Sequence, residues 1–269
     1  MPELPEVETT RAGLSPLINN RKVKKVNIYQ KKLRWNIPEH LPSTIKGCTI
    51  SGVDRRAKYL LLRLDVGTLI VHLGMSGSIR VVNKDEELIK HDHFEICLDD
   101  NSAIRLNDPR RFGSVLFSDN GEHKLLSNLG VEPLSDEFDS SHLFKLSRGK
   151  KQNIKAFIMD SRVVVGVGNI YACESLFLSS INPKSLAGKV SLQRYQLLTD
   201  SIKTILKDAI KAGGTTLQDF SRVDGSPGYF KQTLSVYGRE GRNCNSCGGK
   251  ISRIVQNQRS TFYCKKCQN

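Results

Sequence analysis

The apolar positions keep two rhythms, and the change between them falls near residue 123. After about Asn20, short runs of Val, Ile and Leu are broken by Gly, Pro and Asp, the punctuation of strands and turns. The spacing predicts strands near 22–34, 45–54, 58–65, 68–73, 78–83, 93–99, 103–107 and 113–118. Regular short strands of this kind predict an antiparallel sandwich or barrel. Ahead of them, Leu4, Val7, Leu14 and Ile18 form a helical stripe. Beyond residue 123 the spacing predicts helices over 139–147, 152–160, 169–179 and 191–212. Leu197, Ile202, Ile205, Leu206 and Ile210 mark the last of these, and Gly213 and Gly214 stop it. A short helix over 215–221, capped by Thr215 or Thr216, and a Gly-, Pro- and Ser-dense loop over 222–232 follow. The polar stretch 132–141 is the candidate linker, and no internal repeat interrupts the pattern.

Composition narrows this outline. At 269 residues the chain is long enough for two domains, or one domain and an appendage. No apolar run approaches the roughly 18–20 residues of a membrane span. The acidic N-terminus lacks the apolar segment of a signal peptide, so the expectation is a chain that acts inside the cell. Its formal charge is +14. Residues 239–269 alone hold seven Lys/Arg against one Glu. Nucleic acid is the expected polyanionic partner, ahead of a membrane surface.

The seven cysteines divide in two. Cys48, Cys97 and Cys173 stand alone in apolar or mixed stretches and read as reduced structural thiols. Cys244, Cys247, Cys264 and Cys267 form a C-x2-C pair, sixteen residues, and a second C-x2-C pair. That spacing predicts one tetrahedral four-thiolate zinc site, structural because no position is left for water. Between the pairs, KISRIVQNQRSTFYC predicts a two-stranded ribbon displaying Arg259 at its turn, from Asn257 to Ser260. The zinc fixes the base and leaves the tip free to enter a groove.

The chemistry begins at the N-terminus, MPELPEVE. Trimming of Met1 before a small second residue leaves Pro2 with a secondary amine. An α-amino group titrates at roughly 7.7–8.0, against roughly 10.4 for lysine, so a useful fraction is neutral and nucleophilic at pH 7. A secondary amine can condense with a sugar aldehyde to an iminium, an electron sink. Glu3 places a candidate acid/base beside it. The same residues also suit a plain helix start, and the two readings are compatible.

Further candidates lie on loops. Lys58 opens a predicted strand below Arg55 and Arg56. Met75, in the turn GMSG, is either a core residue or an apolar wedge between bases. Arg110, Arg111 and Phe112, in DPRRFG, suit phosphate, an orphaned base and stacking. His91 and His93 suit a phosphate contact or a structural hydrogen bond better than a metal pair. Asn169, in GVGNIYA, is placed to cap a helix whose amides could bind phosphate.

Taken together, PELPEVET, RRAKYLL, HLGMSG, KHDH, DPRRFG, VVGVGNIYA, GGTTL and CxxC…QRSTFYCxxC resemble the bacterial formamidopyrimidine-DNA glycosylases, which repair oxidised purines. The likeness runs through essentially the whole chain. It implies an α+β multi-domain protein: an N-terminal β-sandwich with an N-terminal helix (1–131), a helical domain with a helix–two-turn–helix motif (132–234), and a four-cysteine zinc-finger β-hairpin (235–269). DNA lies in the cleft between the domains.

The resemblance also implies roles. Pro2 attacks the sugar of a flipped-out nucleotide, Glu3 assists ring opening, and Lys58 and Arg259 serve the β- and δ-elimination steps. Arginine stays protonated, which makes Arg259 a better phosphate clamp than acid. Glu6 matches a second carboxylate near the amine. Met75, Arg110 and Phe112 match the trio filling the hole left by the flipped base; His91, Lys151 and Asn169 match DNA-backbone contacts. The loop 222–232 matches the segment that closes over the extruded base. The implied partner is double-stranded DNA bearing oxidised bases or abasic sites, bound by a cytoplasmic monomer. Two alternatives stand: a pyrimidine-specific relative resembling endonuclease VIII, which begins PEGPE where this chain has PELPE, and a non-catalytic zinc-ribbon DNA-binding protein, which leaves the N-terminal stretch unexplained.

Overall fold

The computed structural model describes residues 2–213 and 234–269. Met1, the expected helix over 215–221 and the loop 222–232 lie outside the described residues. Two compact units form. The first, described over residues 2–127 and 212–213, begins with helix α1 (Leu4–Ile18) and strand β1 (Val23–Ile28). A short helix α2 (Leu41–Ile45) leads into β2 (Ile50–Arg56), β3 (Tyr59–Leu64), β4 (Gly67–His72) and β5 (Ser78–Asn83). Strands β6 (Asp92–Leu98), β7 (Ser102–Asn107) and β8 (Ser114–Ser118) and helix α3 (Lys124–Ser127) complete it.

All eight expected strands are present, in two antiparallel four-stranded sheets ordered β1-β6-β7-β5 and β2-β3-β4-β8. Alternate residues of both sheets, among them Val53, Leu60, Leu62, Val71, Phe94, Ile96, Ile104 and Leu106, join Val7, Leu14 and Ile18 of α1 in one core. This is the β-sandwich that regular short strands predict. The range 45–54 was too generous at its start, because Leu41–Ile45 is helical and Gly47 turns the chain at φ +85°. Pro42, in the first turn of α2, is a helix starter that the apolar run around it conceals.

Arg105 is the largest side chain buried in this unit. It donates to Glu95 Oε2 at 2.6 Å and to the carbonyls of Glu86 (2.7 Å), Glu87 (3.2 Å) and Lys84 (3.3 Å). One guanidinium thus pins the connection ahead of His91. Burial pushes the Glu95 carboxyl up, but hydrogen bonds from Arg105, Asn27, Tyr29 and Cys97 outweigh it and hold it below its ordinary range. Burial likewise pushes the isolated thiols Cys48 and Cys97 up to about 11, which keeps them protonated.

The second unit is described over residues 128–211 and 234–269. Helices α4 (Ser140–Ser147), α5 (Ile154–Ile158), α6 (Asn169–Leu178) and α7 (Leu192–Lys211) match the four expected ones. Helix α5 is shorter than the 152–160 expected, since Asn153 caps it through the amide of Ala156. Phe138, Phe157, Tyr171, Leu176, Tyr195 and Leu198 lie in its core. Residues Ile170 to Leu176 of α6 are all buried, the polar Glu174 and Ser175 among them. Its Glu174 carboxylate accepts the amides of Ser235 (2.8 Å), Val236 (2.9 Å) and Tyr237 (2.8 Å), fixing the entry to the cysteine module.

In that module β9 (Ile251–Gln256) and β10 (Arg259–Cys264) pair antiparallel. Asn257 and Gln258, both at positive φ (+47° and +59°), make the two-residue turn that matches strand twist. The four cysteine sulfurs lie within 4.8 Å of one another, with Cys244–Cys267 at 3.8 Å and Cys247–Cys264 at 3.4 Å. Tetrahedral thiolates on zinc sit about 3.8 Å apart, given Zn–S bonds of about 2.3 Å. The donor set therefore fits a single structural Zn2+.

Two outcomes follow. Glu95→Gln leaves the Arg105 charge unbalanced and is expected to cost about 3–5 kcal/mol in chemical denaturation at pH 7. A depressed carboxylate stabilises the fold above its unfolded value of 4.5, and that contribution fades as pH falls through the folded value. The variant's stability should therefore change less over that acid range; an unchanged slope would exclude Glu95 as its source. Removing zinc with a strong chelator is expected to release a single ion and melt the 243–269 module, seen as loss of protease resistance there, while residues 2–127 keep their strand signal.

Candidate functional site

Pro2 is buried at the start of α1, with Glu3 at the N-cap. The Glu3 amide donates to Glu6 Oε2 at 2.7 Å, and the Glu3 side chain accepts the amide of Glu6. This reciprocal capping box satisfies two helix-end donors. Glu3 is 2% exposed and Glu6 fully buried. The pair fixes the peptide unit immediately after Pro2 and sets two carboxylates at the positive end of the helix dipole. A plain helix start and a reactive terminus are compatible in this one arrangement.

Lys58 does not open a strand. It is the second residue of the two-residue turn between β2 and β3, after Ala57 at φ +55°. A β-hairpin tip presents a side chain from a rigid base, so a lysine there is better placed than one along a strand.

The expected trio is brought together around one residue that sequence reasoning missed, Asp108, which is fully buried. Its Oδ2 accepts the amide of Gly113 at 2.7 Å, and its Oδ1 accepts the Ser76 hydroxyl at 3.4 Å. Its amide donates to the His91 carbonyl at 3.0 Å, and its own carbonyl meets His93 Nε2 at 3.0 Å. Asp108 thereby ties the Met75 turn, the Arg110–Phe112 loop and the His91 segment to one another. Gly74 packs so tightly on the second loop that a Cβ there would lie 2.4 Å from the Gly113 nitrogen. Met75 is 37% exposed and Phe112 45%, so Met75 is no core residue. The Arg110 guanidinium lies over the Phe112 ring, 4.9 Å from its centre. The aspartate is visible in DPRRFG, but a carboxylate next to two arginines reads as their ion partner. Its carboxylate instead accepts one backbone amide and the Ser76 hydroxyl from a separate loop, which the local sequence does not display.

His72 is a second residue without a sequence signal. Its Nδ1 accepts the Gly74 amide at 2.9 Å, shaping the turn before Met75. Burial, with the charges of Lys58 and Arg34, pushes its pKa down to about 4, so the acceptor nitrogen stays unprotonated at neutral pH.

The other candidates belong to the second unit. Asn169 is the first residue of α6, with Gly168 at the cap position expected of Asn169. Its Nδ2 donates to the Ser260 carbonyl at 2.9 Å, and buried Lys155 reaches the same carbonyl (3.3 Å) and Thr261 Oγ1 (2.7 Å). The hairpin is therefore docked along β10 as well as clamped by its cysteines, and its outer end is less free than expected. Arg259, exposed, begins β10 beside the turn and lines a cleft of about 190 Å³ with Lys155, Met159, Asp160, Gln256 and Asn257. Lys151 is exposed in the segment before α5.

Comparison with known proteins converges on one family. Residues 1–115 match the formamidopyrimidine-DNA glycosylase N-terminal domain, 129–221 its H2TH domain, and 243–269 the zinc finger found in FPG and IleRS. Formamidopyrimidine-DNA glycosylases of Ruthia magnifica and Vesicomyosocius okutanii are each 61% identical over 268 residues, covering 100% of both chains. The crystal structure of the Thermus thermophilus MutM (FPG) protein superposes with a TM-score of 0.87 at 35% identity, covering 99% of this chain and 98% of that one. A Lactococcus lactis FPG mutant in complex with Fapy-dG-containing DNA gives 0.92 at 33% identity, with 100% of each chain covered. Full-length identity at this level, together with three family domains in order, places the chain in the formamidopyrimidine-DNA glycosylase family.

Proposed function

We propose that this chain removes oxidised purines, 8-oxoguanine and formamidopyrimidines, from duplex DNA and then cuts the abasic strand, with Pro2 as the nucleophile of both activities. The observation that carries the reading is the capping box, which holds the peptide after Pro2 between two buried carboxylates. Solved relatives support the substrate class: the Lactococcus lactis enzyme was crystallised with Fapy-dG DNA and with abasic-site DNA.

With Met1 removed, the Pro2 nitrogen attacks C1′ of the damaged nucleotide, the N-glycosidic bond breaks, and the base leaves with a proton. Glu3 delivers a proton to the ring oxygen, and the opened sugar is held as an iminium. Loss of a C2′ proton expels the 3′ phosphate, and a second elimination expels the 5′ phosphate. Lys58 serves the first elimination. Arg259, permanently charged, holds phosphate during the second.

Met75, Arg110 and Phe112 fill the space vacated by the extruded nucleotide, with Arg110 facing the orphaned cytosine. Their joint anchorage on Asp108 suits that use, because a wedge must not yield when bases are parted. His91, Lys151 and Asn169 contact the DNA backbone, and the +14 charge supplies long-range attraction. The zinc, held by Cys244, Cys247, Cys264 and Cys267, supports the hairpin bearing Arg259 and takes no part in the chemistry. We read residues 1–131, 132–234 and 235–269 as the three functional segments of a monomer working on chromosomal DNA in the cytoplasm. Among the described residues no helix is long and apolar enough to cross a membrane.

Borohydride trapping tests the central step. A covalent adduct is expected on duplex containing 8-oxoguanine opposite cytosine, and it should vanish in Pro2→Gly or when Met1 is retained. Trapping only on an oxidised pyrimidine would move the specificity to the endonuclease VIII class; none on any lesion would leave a DNA-binding protein. Arg259→Ala is expected to lower strand cleavage and DNA affinity, each about tenfold or more, while iminium trapping on a preformed abasic site stays within about twofold. Normal cleavage by that variant would remove the phosphate role.

A further inference from the structure

The turn that presents Lys58 is strained where it matters. Ala57 adopts φ +55° without being glycine, a conformation that persists only when its surroundings impose it. The Arg55 side chain is part of those surroundings. Its Nη1 donates to the Ala57 carbonyl at 2.9 Å, and its Nε donates to Glu8 Oε2 at 2.9 Å.

Glu8 belongs to α1, the helix that begins two residues after Pro2. Its other oxygen receives Arg11 Nε at 2.8 Å, and Arg11 Nη1 reaches the Val53 carbonyl on β2 at 3.5 Å. One carboxylate therefore couples the helix that carries the amine to the hairpin that carries the lysine. The Arg55 and Glu8 side chains are only 12% and 20% exposed. A charge-assisted pair shielded to this degree keeps its geometry better than one on open surface.

We propose that Arg55, held by Glu8, is a positioning residue that fixes the Lys58 turn relative to the Pro2 helix and so sets the rate of β-elimination. This rests on the role given to Lys58 above. Pro2 and Lys58 act in succession on one sugar, and reacting groups misplaced by about 1 Å lose rate steeply. A planar fork spans the two acceptors together, whereas an ammonium reaches them only as a point donor.

The test measures single-turnover strand cleavage of a duplex carrying a preformed abasic site. It compares the wild type with Arg55→Ala, Arg55→Lys, Lys58→Ala and the Arg55→Ala/Lys58→Ala double variant. Borohydride trapping and thermal midpoints are read on the same preparations. Arg55→Ala is expected to slow cleavage about tenfold while trapping stays within about twofold, and Arg55→Lys to fall between it and the wild type. The double variant should be no slower than Lys58→Ala, because a residue acting through Lys58 has nothing left to position. Losses that multiply in the double variant overturn the proposal, as does wild-type cleavage by Arg55→Ala beside a slow Lys58→Ala. Should Arg55→Ala prove too unstable to assay, Arg55→Lys with its own Lys58→Ala double variant decides the matter by the same criterion. Unimpaired cleavage by Lys58→Ala removes the role of Lys58 itself and takes the positioning proposal with it.

Discussion

A terminus proposed to act as a nucleophile must be held still where chains are ordinarily least ordered. Terminal residues fray unless something ties them down. Here the tie is local and reciprocal: Glu3 and Glu6 each supply the other's missing partner at the head of α1. The helix is in turn fixed by Val7, Leu14 and Ile18 in the sandwich core. The route from core to amine is therefore short, and every link in it is a buried contact or a hydrogen bond.

The same device recurs at several of the segments around the candidate side chains. A shielded carboxylate gathers backbone amides or one guanidinium and so turns an irregular segment into a rigid one. Asp108 does this for the Met75 and Phe112 loops, Glu174 for the entry to the cysteine module, and Glu95, through Arg105, for the connection ahead of His91. This division of labour explains how a chain of charge +14 stays ordered. Many cations are left on the outside for a polyanion, whereas these acids are turned inward on amides and arginines. A buried carboxylate with several donors is adequately solvated by the protein, and it adds no repulsion toward phosphate.

That arrangement also decides what could be read in advance. Periodicity displays apolar faces, so the eight strands, α1 and the four helices α4–α7 were legible. Spacing displays metal ligands, so the four cysteines were too. Pro2, Arg110 and Arg259 stood out as candidates because the chemistry proposed for them resides in the side-chain type and its place beside a terminus or turn. Asp108 and His72 were not, since each acts on backbone amides, and an amide is present at nearly every position. Lys58 was misplaced by one residue for a related reason: the β2–β3 turn carries neither Gly nor Asn. A guanidinium from Arg55 supports Ala57 in the conformation glycine would adopt unaided. Helix α2 was hidden by its setting, a single turn started by Pro42 inside an apolar run that reads as strand.

The docking of the zinc hairpin shows why a structural metal and a distant lysine serve one end. Four thiolates fix only the base of a ribbon, and a two-stranded hairpin standing alone is marginal in water. Ser260, next to Arg259, is gripped through its carbonyl by Asn169 at the start of α6 and by Lys155 of α5. With both ends held, the exposed Arg259 side chain moves on a backbone that is already fixed. An arginine proposed to hold phosphate benefits from that restriction, because its five donors act together only when the backbone beneath them is already in place.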